Sequence, residues 1–250
     1  KQQLEKYNSL QFTEEKKREL WETFAKQIEI NEKRFLTMVR SLFVSQEERI
    51  TENVGEFVKD IDDVTKWQKE KELFFRISFP FFVEIGRQAV EQESDLLGET
   101  FGISGKIRDF LTGKANKFSD EVNETTRIDL ANTLSQGVKA GEGIVDLKKR
   151  VKNVFESKES WEAERIARTE VIGAFNGSAW EVNMQSDLVE KHEWLAALDN
   201  RVRDSHKAIN GKVVIKGKKF PNGLRFPGDP EGPASEIINC RCRLAPVVSD

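Results

Sequence analysis

The chain has 250 residues, with 40 Lys and Arg against 43 Asp and Glu for a net charge of −3; 33% of residues are charged and 38% hydrophobic. At roughly 100 to 200 residues per domain, that is one large domain or two small ones with ample material for a core, which excludes a disordered chain. The densest apolar run, Leu73 to Ile85, contains Arg76, Pro80 and Glu84 and falls short of the ~20 residues a bilayer crossing needs, so no membrane segment is expected.

The start, Lys1 to Asn8, has no apolar stretch and no small-residue cleavage site, so it does not read as an export signal. Residue 1 is not Met, and the chain is read as processed or truncated. The two cysteines, Cys240 and Cys242, are next-but-one neighbours that cannot close an unstrained disulfide, which fits a reducing compartment. The Asn-x-Ser/Thr sequons at Asn123 and Asn176 carry no weight in that setting.

From Thr13 to about Ser45, Leu20, Trp21, Phe24, Ile28, Phe35, Met38, Val39 and Leu42 recur at three- and four-residue steps and predict an amphipathic helix, capped by Thr13 with Glu14 and Glu15 behind it. Ile50, Val54, Phe57, Val58 and Ile61 predict a second helix. Val64, Trp67, Phe74, Ile77, Phe81, Ile85 and Ala89 predict a third, which Pro80 should kink or interrupt. The Phe-rich stripes are read as core packing between helices.

Glu93 to Lys106 mixes Gly, Ser and acids and reads as a connector, placing a boundary between a helical region 1–98 and a second domain 99–250. Helical spacing returns over Ser119 to Ala140 and Glu142 to Phe155, with Gly141 and Gly143 between them. One long helix is expected from Lys158 to about Asp187, with Trp161, Ile166, Ala167, Val171, Ala174 and Phe175 on its apolar side. After Asp187, the short runs Trp194–Leu198, Val213–Ile215, Leu224–Phe226 and Cys242–Val248 alternate with Gly and Pro punctuation and predict a small antiparallel sheet. Arg201 to Ile209 suits a short helix. The fold class is therefore α+β: a mainly helical N-terminal region, then a long helix and a small C-terminal sheet.

Standard catalytic signatures fail. Gly102-Ile-Ser-Gly105-Lys106-Ile107 has the wrong glycine spacing for a phosphate loop and no hydroxyl after Lys106. Gly141-Glu-Gly143 lacks the third glycine and the preceding strand of a dinucleotide site. His192-Glu193 begins like a zinc-protease helix, but Ala196 stands where the second His is required. No Gly-x-Ser-x-Gly elbow exists.

The residues that carry interest are Asp199, Arg201, Arg203 and His206 on one side and Cys240-Arg241-Cys242 on the other. If Cys240 and Cys242 lie in a strand, their side chains share a face, and His206, Cys240 and Cys242 offer three zinc-type ligands with Asp199 as a possible fourth. The alternative is two buried thiols and a hydrogen-bonded His206. Arg201 to Arg225 holds eight basic residues, among them Lys207, Lys212, Lys216, Lys218, Lys219 and Arg225, against the single acid Asp204, a local charge of +7. Such a patch is read first as a solvated face; it also suits nucleic-acid phosphates or an acidic protein surface, although Phe220 is its only aromatic. Arg168-Thr169-Glu170 suits a helix contact or a site.

In combination, Glu164-Arg-Ile-Ala-Arg168-Thr169-Glu170, Ala174-x-Asn176-x-x-Ala179, Leu198-Asp199-x-Arg201-Val-Arg203-x-x-His206, Asn210-Gly211-Lys and Asn239-Cys240-Arg241-Cys242 resemble the phage Mu protein F-like family over roughly residues 100 to 248. The resemblance implies a minor head protein of a tailed bacteriophage: a virion structural protein acting in head morphogenesis, and in DNA packaging or ejection. It implies a place in the virion head or procapsid interior after synthesis in the host cytoplasm. The implied partners are the portal protein, the major capsid or scaffolding protein, and DNA. It brings no catalytic reaction.

Some relatives complete a metal site at positions occupied here by Arg203, His206 and Ile237. Zinc is therefore an option rather than a requirement, and an ion pair from Arg203 to Asp199 or Glu170 is expected to replace it as a crosslink. Arg168, Glu170, Asp199, Arg201, Arg203 and His206 form the expected structural cluster. A DNA-binding module working through the basic patch is the alternative. A metal-assisted nuclease or a transferase using Arg168 and Glu170 is a further one. Related proteins sometimes carry a C-terminal toxin domain, which the resemblance allows beyond residue 250.

Overall fold

The structure is a computed structural model that describes residues 13–55 and 64–248. Helix α1 spans Glu14–Asn53. Thr13 starts it as expected, its Oγ1 accepting from the Lys16 amide at 3.3 Å. One apolar stripe runs the whole length, with Phe24, Phe35, Val39, Phe43 and Ile50 all buried, so Ile50 extends this helix instead of opening a second one. Phe57, Val58 and Ile61 lie outside the described residues.

Helix α2 spans Trp67–Leu97 and runs through Pro80 without interruption. Proline removes one amide donor, but Phe74, Phe82, Ile85 and Ala89 are buried on either side, and their burial outweighs the missing bond. The connector shrinks to 98–104, because α3 covers Gly105–Lys139. Its first turns carry Ile107, Leu111, Ala115 and Phe118 at helical steps, all buried, which moves the start well ahead of the expected Ser119.

Gly141, at φ 73, turns the chain into α4, Ile144–Ser157. The expected long helix is split. A π-helical turn over Lys158–Glu162, with Ser160 off helical geometry, precedes α5, Ala163–Gln185. Trp161 is accordingly turned outward, 56% exposed beneath the Arg165 guanidinium, and does not join the apolar side.

The sheet has order β2-β1-β3 and is antiparallel, with β1 at Val189–Leu195, β2 at Val213–Ile215 and β3 at Arg243–Val248. Two short helices intervene, α6 at Asp204–Ala208 and α7 at Ala234–Ile237. Leu224–Phe226 forms no strand. The Arg225 amide and guanidinium both bond to Asp229, which curls this segment into a loop while Leu224 and Phe226 stay buried.

The chain forms two compact units, each discontinuous in sequence: Lys1–Lys33, Phe82–Thr112 and Arg168–Asp250 in one, Arg34–Phe81 and Gly113–Ala167 in the other. The second unit is held by aromatic edge contacts, Phe35 with Phe118 and Phe43 with Phe74, and by the buried Gln46 donating to Asn123.

In the first unit, Phe24 meets Phe175 at 5.1 Å, and Leu20 and Leu96 cover the Leu195 and Ala245 side of the sheet. The opposite side presents Trp194, against which His206 and Phe220 pack edge-on. Gly228, at φ 78, lies so near Gly173 that a Cβ would stand 2.9 Å from its backbone, which lets the 226–229 loop lie directly on α5.

Candidate functional site

The polar residues of the first unit converge on one short segment, 238–244. Asn239 takes a left-handed turn, φ 58, and donates its amide to Thr169 Oγ1 at 3.1 Å. Its side-chain oxygen accepts from Arg168 Nη1 at 3.2 Å, and Arg168 Nε lies 3.5 Å from Glu32. Two turns along α5, the fully buried Asn176 donates to the Cys242 carbonyl at 3.0 Å and accepts from the Leu244 amide at 2.9 Å. This one side chain thus stands in for a strand partner at the start of β3.

From the other direction, Asp199 accepts two bonds from Arg241, from Nε at 3.0 Å and Nη2 at 2.9 Å, and one from the Arg201 amide at 2.9 Å. Burial pushes its carboxyl up, but these bonds prevail and hold it below its usual value. The Arg201 guanidinium stays largely in solvent, 3.7 Å from Asp199. Arg203 corrects the expected ion pair: its guanidinium donates to the backbone carbonyls of Ser235 and Ile238. The crosslink exists, but it joins Arg203 to the end of α7, while Arg241 is the partner of Asp199. Glu170 is half-buried on α5 beside Thr169.

His206 is buried, and its ring packs edge-on with Trp194, the ring centres 4.9 Å apart. Nε2 lies 3.0 Å from Glu236 Oε2, a carboxylate that also accepts from Ser205 and Asn222. A carboxylate only accepts, so Nε2 is the donor in that contact, and Nδ1 faces the two sulfurs. Cys242 Sγ is 3.3 Å and Cys240 Sγ 3.7 Å from Nδ1.

The three ligand atoms lie within 4.8 Å of one another. Cys240 and Cys242 precede β3 rather than lying in it. The hydrogen bond from Cys240 and the nearby His206 pull the Cys242 thiol well down, while burial pushes Cys240 well up, so the pair holds at most one thiolate. Asp199 is not a fourth ligand, because Arg241 occupies both of its oxygens.

The basic patch is partly dismantled. Lys207, Lys212, Lys218 and Lys219 are exposed. Lys216 instead donates to the Ser186 carbonyl at 2.7 Å. Arg225 is paired with Asp229 at 2.6 Å and lies against Trp180 and Phe226. Phe220 is buried on Trp194, which leaves the lysines without the aromatic that base stacking requires.

Two residues of this arrangement, Glu236 and Glu32, escaped the sequence reading, while Arg241 and Asn176 were quoted within motifs with no partner assigned to them. Asn176 did leave a signal, as an amide amid Ala174, Phe175 and Ala179 on the apolar side of α5.

Residues 129–245, which hold every one of these contacts except that of Glu32, match the family profile of phage Mu protein F like protein. That segment belongs to the phage Mu protein F-like family. Among curated proteins, the chain is 32% identical over 143 residues to Minor head protein GP7 of Bacillus phage SPP1, covering 51% of this chain and 44% of GP7. It is 23% identical over 176 residues to Uncharacterized protein YqbB of Bacillus subtilis (strain 168), covering 65% of this chain and 57% of YqbB. It is also 28% identical over 148 residues to NAD(+)--arginine ADP-ribosyltransferase EFV of Enterococcus faecalis (strain ATCC 700802 / V583), covering 55% of this chain and 28% of EFV.

The chain thus spans from about a quarter to just over half of the length of these relatives. No solved structure matches it. Among the described residues, no helix is long and apolar enough to cross a membrane.

Proposed function

We propose that this chain is the Mu F-like part of a phage minor head protein, a structural component of the virion head or procapsid interior that docks on the portal and acts in head morphogenesis. The observation that carries the reading is the likeness to Minor head protein GP7 together with the family match over 129–245. The bonding supports a structural rather than a catalytic role, since Arg168, Asp199, Arg203 and His206 each engage another part of the same chain. The major capsid or scaffolding protein and packaged DNA are the other partners this reading allows.

Mass spectrometry of gradient-purified heads, paired with co-purification on the tagged portal protein of the same phage, tests it. Recovery in the heads at low copy number together with portal capture is expected. Absence from heads while the protein is abundant in the same lysate refutes it.

A second reading concerns zinc at His206, Cys240 and Cys242. Three nitrogen and sulfur donors clustered in a buried site fit a thiophilic ion, and Glu236 fixes the imidazole as second-layer carboxylates do. Zinc bound there would tie α6 to the 240–242 segment. Elemental analysis of protein purified without chelator decides it: one zinc per chain that is lost in His206→Ala supports this reading, and a metal-free, fully folded protein rejects it.

A further inference from the structure

Among the described residues β2 is an edge strand, bonded to β1 on one side only. Lys212 offers its carbonyl to the Trp194 amide at 3.0 Å, and Lys216 donates its amide to Glu190 at 2.8 Å, so the even-numbered residues face β1. Backbone groups alternate along an antiparallel strand, which turns those of Val213 and Ile215 outward. The Ile215 carbonyl is taken by the Lys218 amide at 2.9 Å. What remains directed outward is the Val213 N–H and C=O and the Ile215 N–H.

The side chains there are apolar and open, Val213 at 42% and Ile215 at 65% exposure. Exposed lysines stand at both ends, Lys212 before the strand and Lys218 and Lys219 after it, with Lys207 nearby in sequence. No acidic residue occurs from 205 to 228.

We propose that this edge is a docking site for an extended, acidic segment of a partner protein, which adds a fourth strand outside β2. Strand addition satisfies the outward amides and carbonyl, β-branched side chains of the guest cover Val213 and Ile215, and its carboxylates meet the flanking lysines. Charge decides the occupant. A second copy would bring a second set of lysines against the first, the repulsion by which edge lysines prevent self-pairing. DNA would use the lysines but would leave the carbonyl and both apolar side chains uncovered. Arg168, Asp199, Arg203 and His206 take no part, so this proposal stands or falls apart from the head-protein reading.

The probe is a fluorescein-labelled peptide of alternating Glu and Val, about nine residues long to span the edge and its flanks. It is measured by anisotropy on the full chain, beside the same peptide N-methylated at the amides that pair. Binding to the unmethylated peptide is expected, weakening severalfold between about 50 and 300 mM salt. It should drop about tenfold both on N-methylation and in Ile215→Pro, which removes an outward donor without touching a bond to β1. Thermal unfolding checks that variant. If it does not fold, the triple charge reversal Lys212→Glu, Lys218→Glu, Lys219→Glu carries the test with the same expected loss.

Equal binding of the N-methylated peptide overturns the proposal by leaving charge alone as the cause. It is equally overturned if a short DNA duplex binds and the peptide does not, if nothing binds, or if the chain dimerises in solution and Ile215→Pro abolishes the dimer.

Discussion

Arg241 lays its guanidinium along the Asp199 carboxylate, with bonds of 3.0 Å from Nε and 2.9 Å from Nη2. The pair is about three-quarters sheltered and bidentate, the geometry in which such a contact has measurable worth. Asp199→Ala should lower the unfolding free energy by about 1–2 kcal/mol at neutral pH. The folded carboxyl titrates below its ordinary value of 3.8, so its contribution is present above that pH and is lost as pH falls through the folded value. Urea unfolding of both proteins should therefore show the gap closing in acid; a gap that persists at the acid end would mean the cost is one of packing.

Asn176 satisfies the Cys242 carbonyl and the Leu244 amide at once, with no solvent access. Replacement by Leu leaves both groups buried without partners and should cost about 2–4 kcal/mol, more than the surface pairs of α1 can contribute. Asn176→Asp keeps the acceptor for Leu244 but turns an oxygen on the Cys242 carbonyl, so it should be no better. Hydrogen exchange at the Leu244 amide is the direct readout. Protection should fall in both variants, and unchanged protection would show that another group takes over.

The parts of this architecture that are legible in sequence are those set by local spacing. The stripe from Leu20 to Leu42 announces α1, and Thr13 marks its start, because helical period and capping are properties of neighbouring residues. Asp199, His206, Cys240 and Cys242 were recognisable as a group through their order along the chain. Their partners were not. Arg203 reaches carbonyls exposed only because α7 ends at Ile237, and Arg241 rather than Arg203 points at Asp199. Pro80 and Ser160 mislead in opposite senses: tertiary burial carries α2 through a proline, while a sequence without a breaker departs from helical geometry at Ser160. Leu224–Phe226 reads as a strand until the Arg225–Asp229 turn is seen.

Glu93 and Arg243 are the least legible of all, because two charged residues 150 positions apart look solvated, yet both are fully buried 2.9 Å from each other. Arg243 also lies over the rings of Phe24 and Phe175. Removing one partner leaves an uncompensated charge, so Glu93→Gln and Arg243→Met should each destabilise by about 3–5 kcal/mol. The double variant Glu93→Gln/Arg243→Met should recover much of that loss, since desolvating two charges costs nearly what their attraction returns. A double-mutant cycle by denaturant unfolding measures this, and additive losses would contradict it.

Glu93 and His192 give the first unit two pH dependences of opposite sign. Burial pushes the Glu93 carboxyl up to about 7 from 4.5 in spite of Arg243, so the folded chain holds more protons there and stability falls as pH rises through that window. His192 is buried with neither ring nitrogen hydrogen-bonded, and burial together with Lys216 lowers it to about 4 from 6.5. Here the unfolded chain holds more protons, so stability rises with pH from about 4 to 6.5. Each shift corresponds to about 3 kcal/mol, and the windows overlap, so the two contributions nearly cancel in the intact protein. His192→Leu should uncover the Glu93 dependence, its stability relative to the parent decreasing between pH 4.5 and 6.5. Glu93→Gln should do the reverse, its stability relative to the parent increasing over the same range. Urea midpoints at half-unit pH steps for the three proteins would settle it: difference curves without slope would mean that neither group changes charge state between folded and unfolded chains.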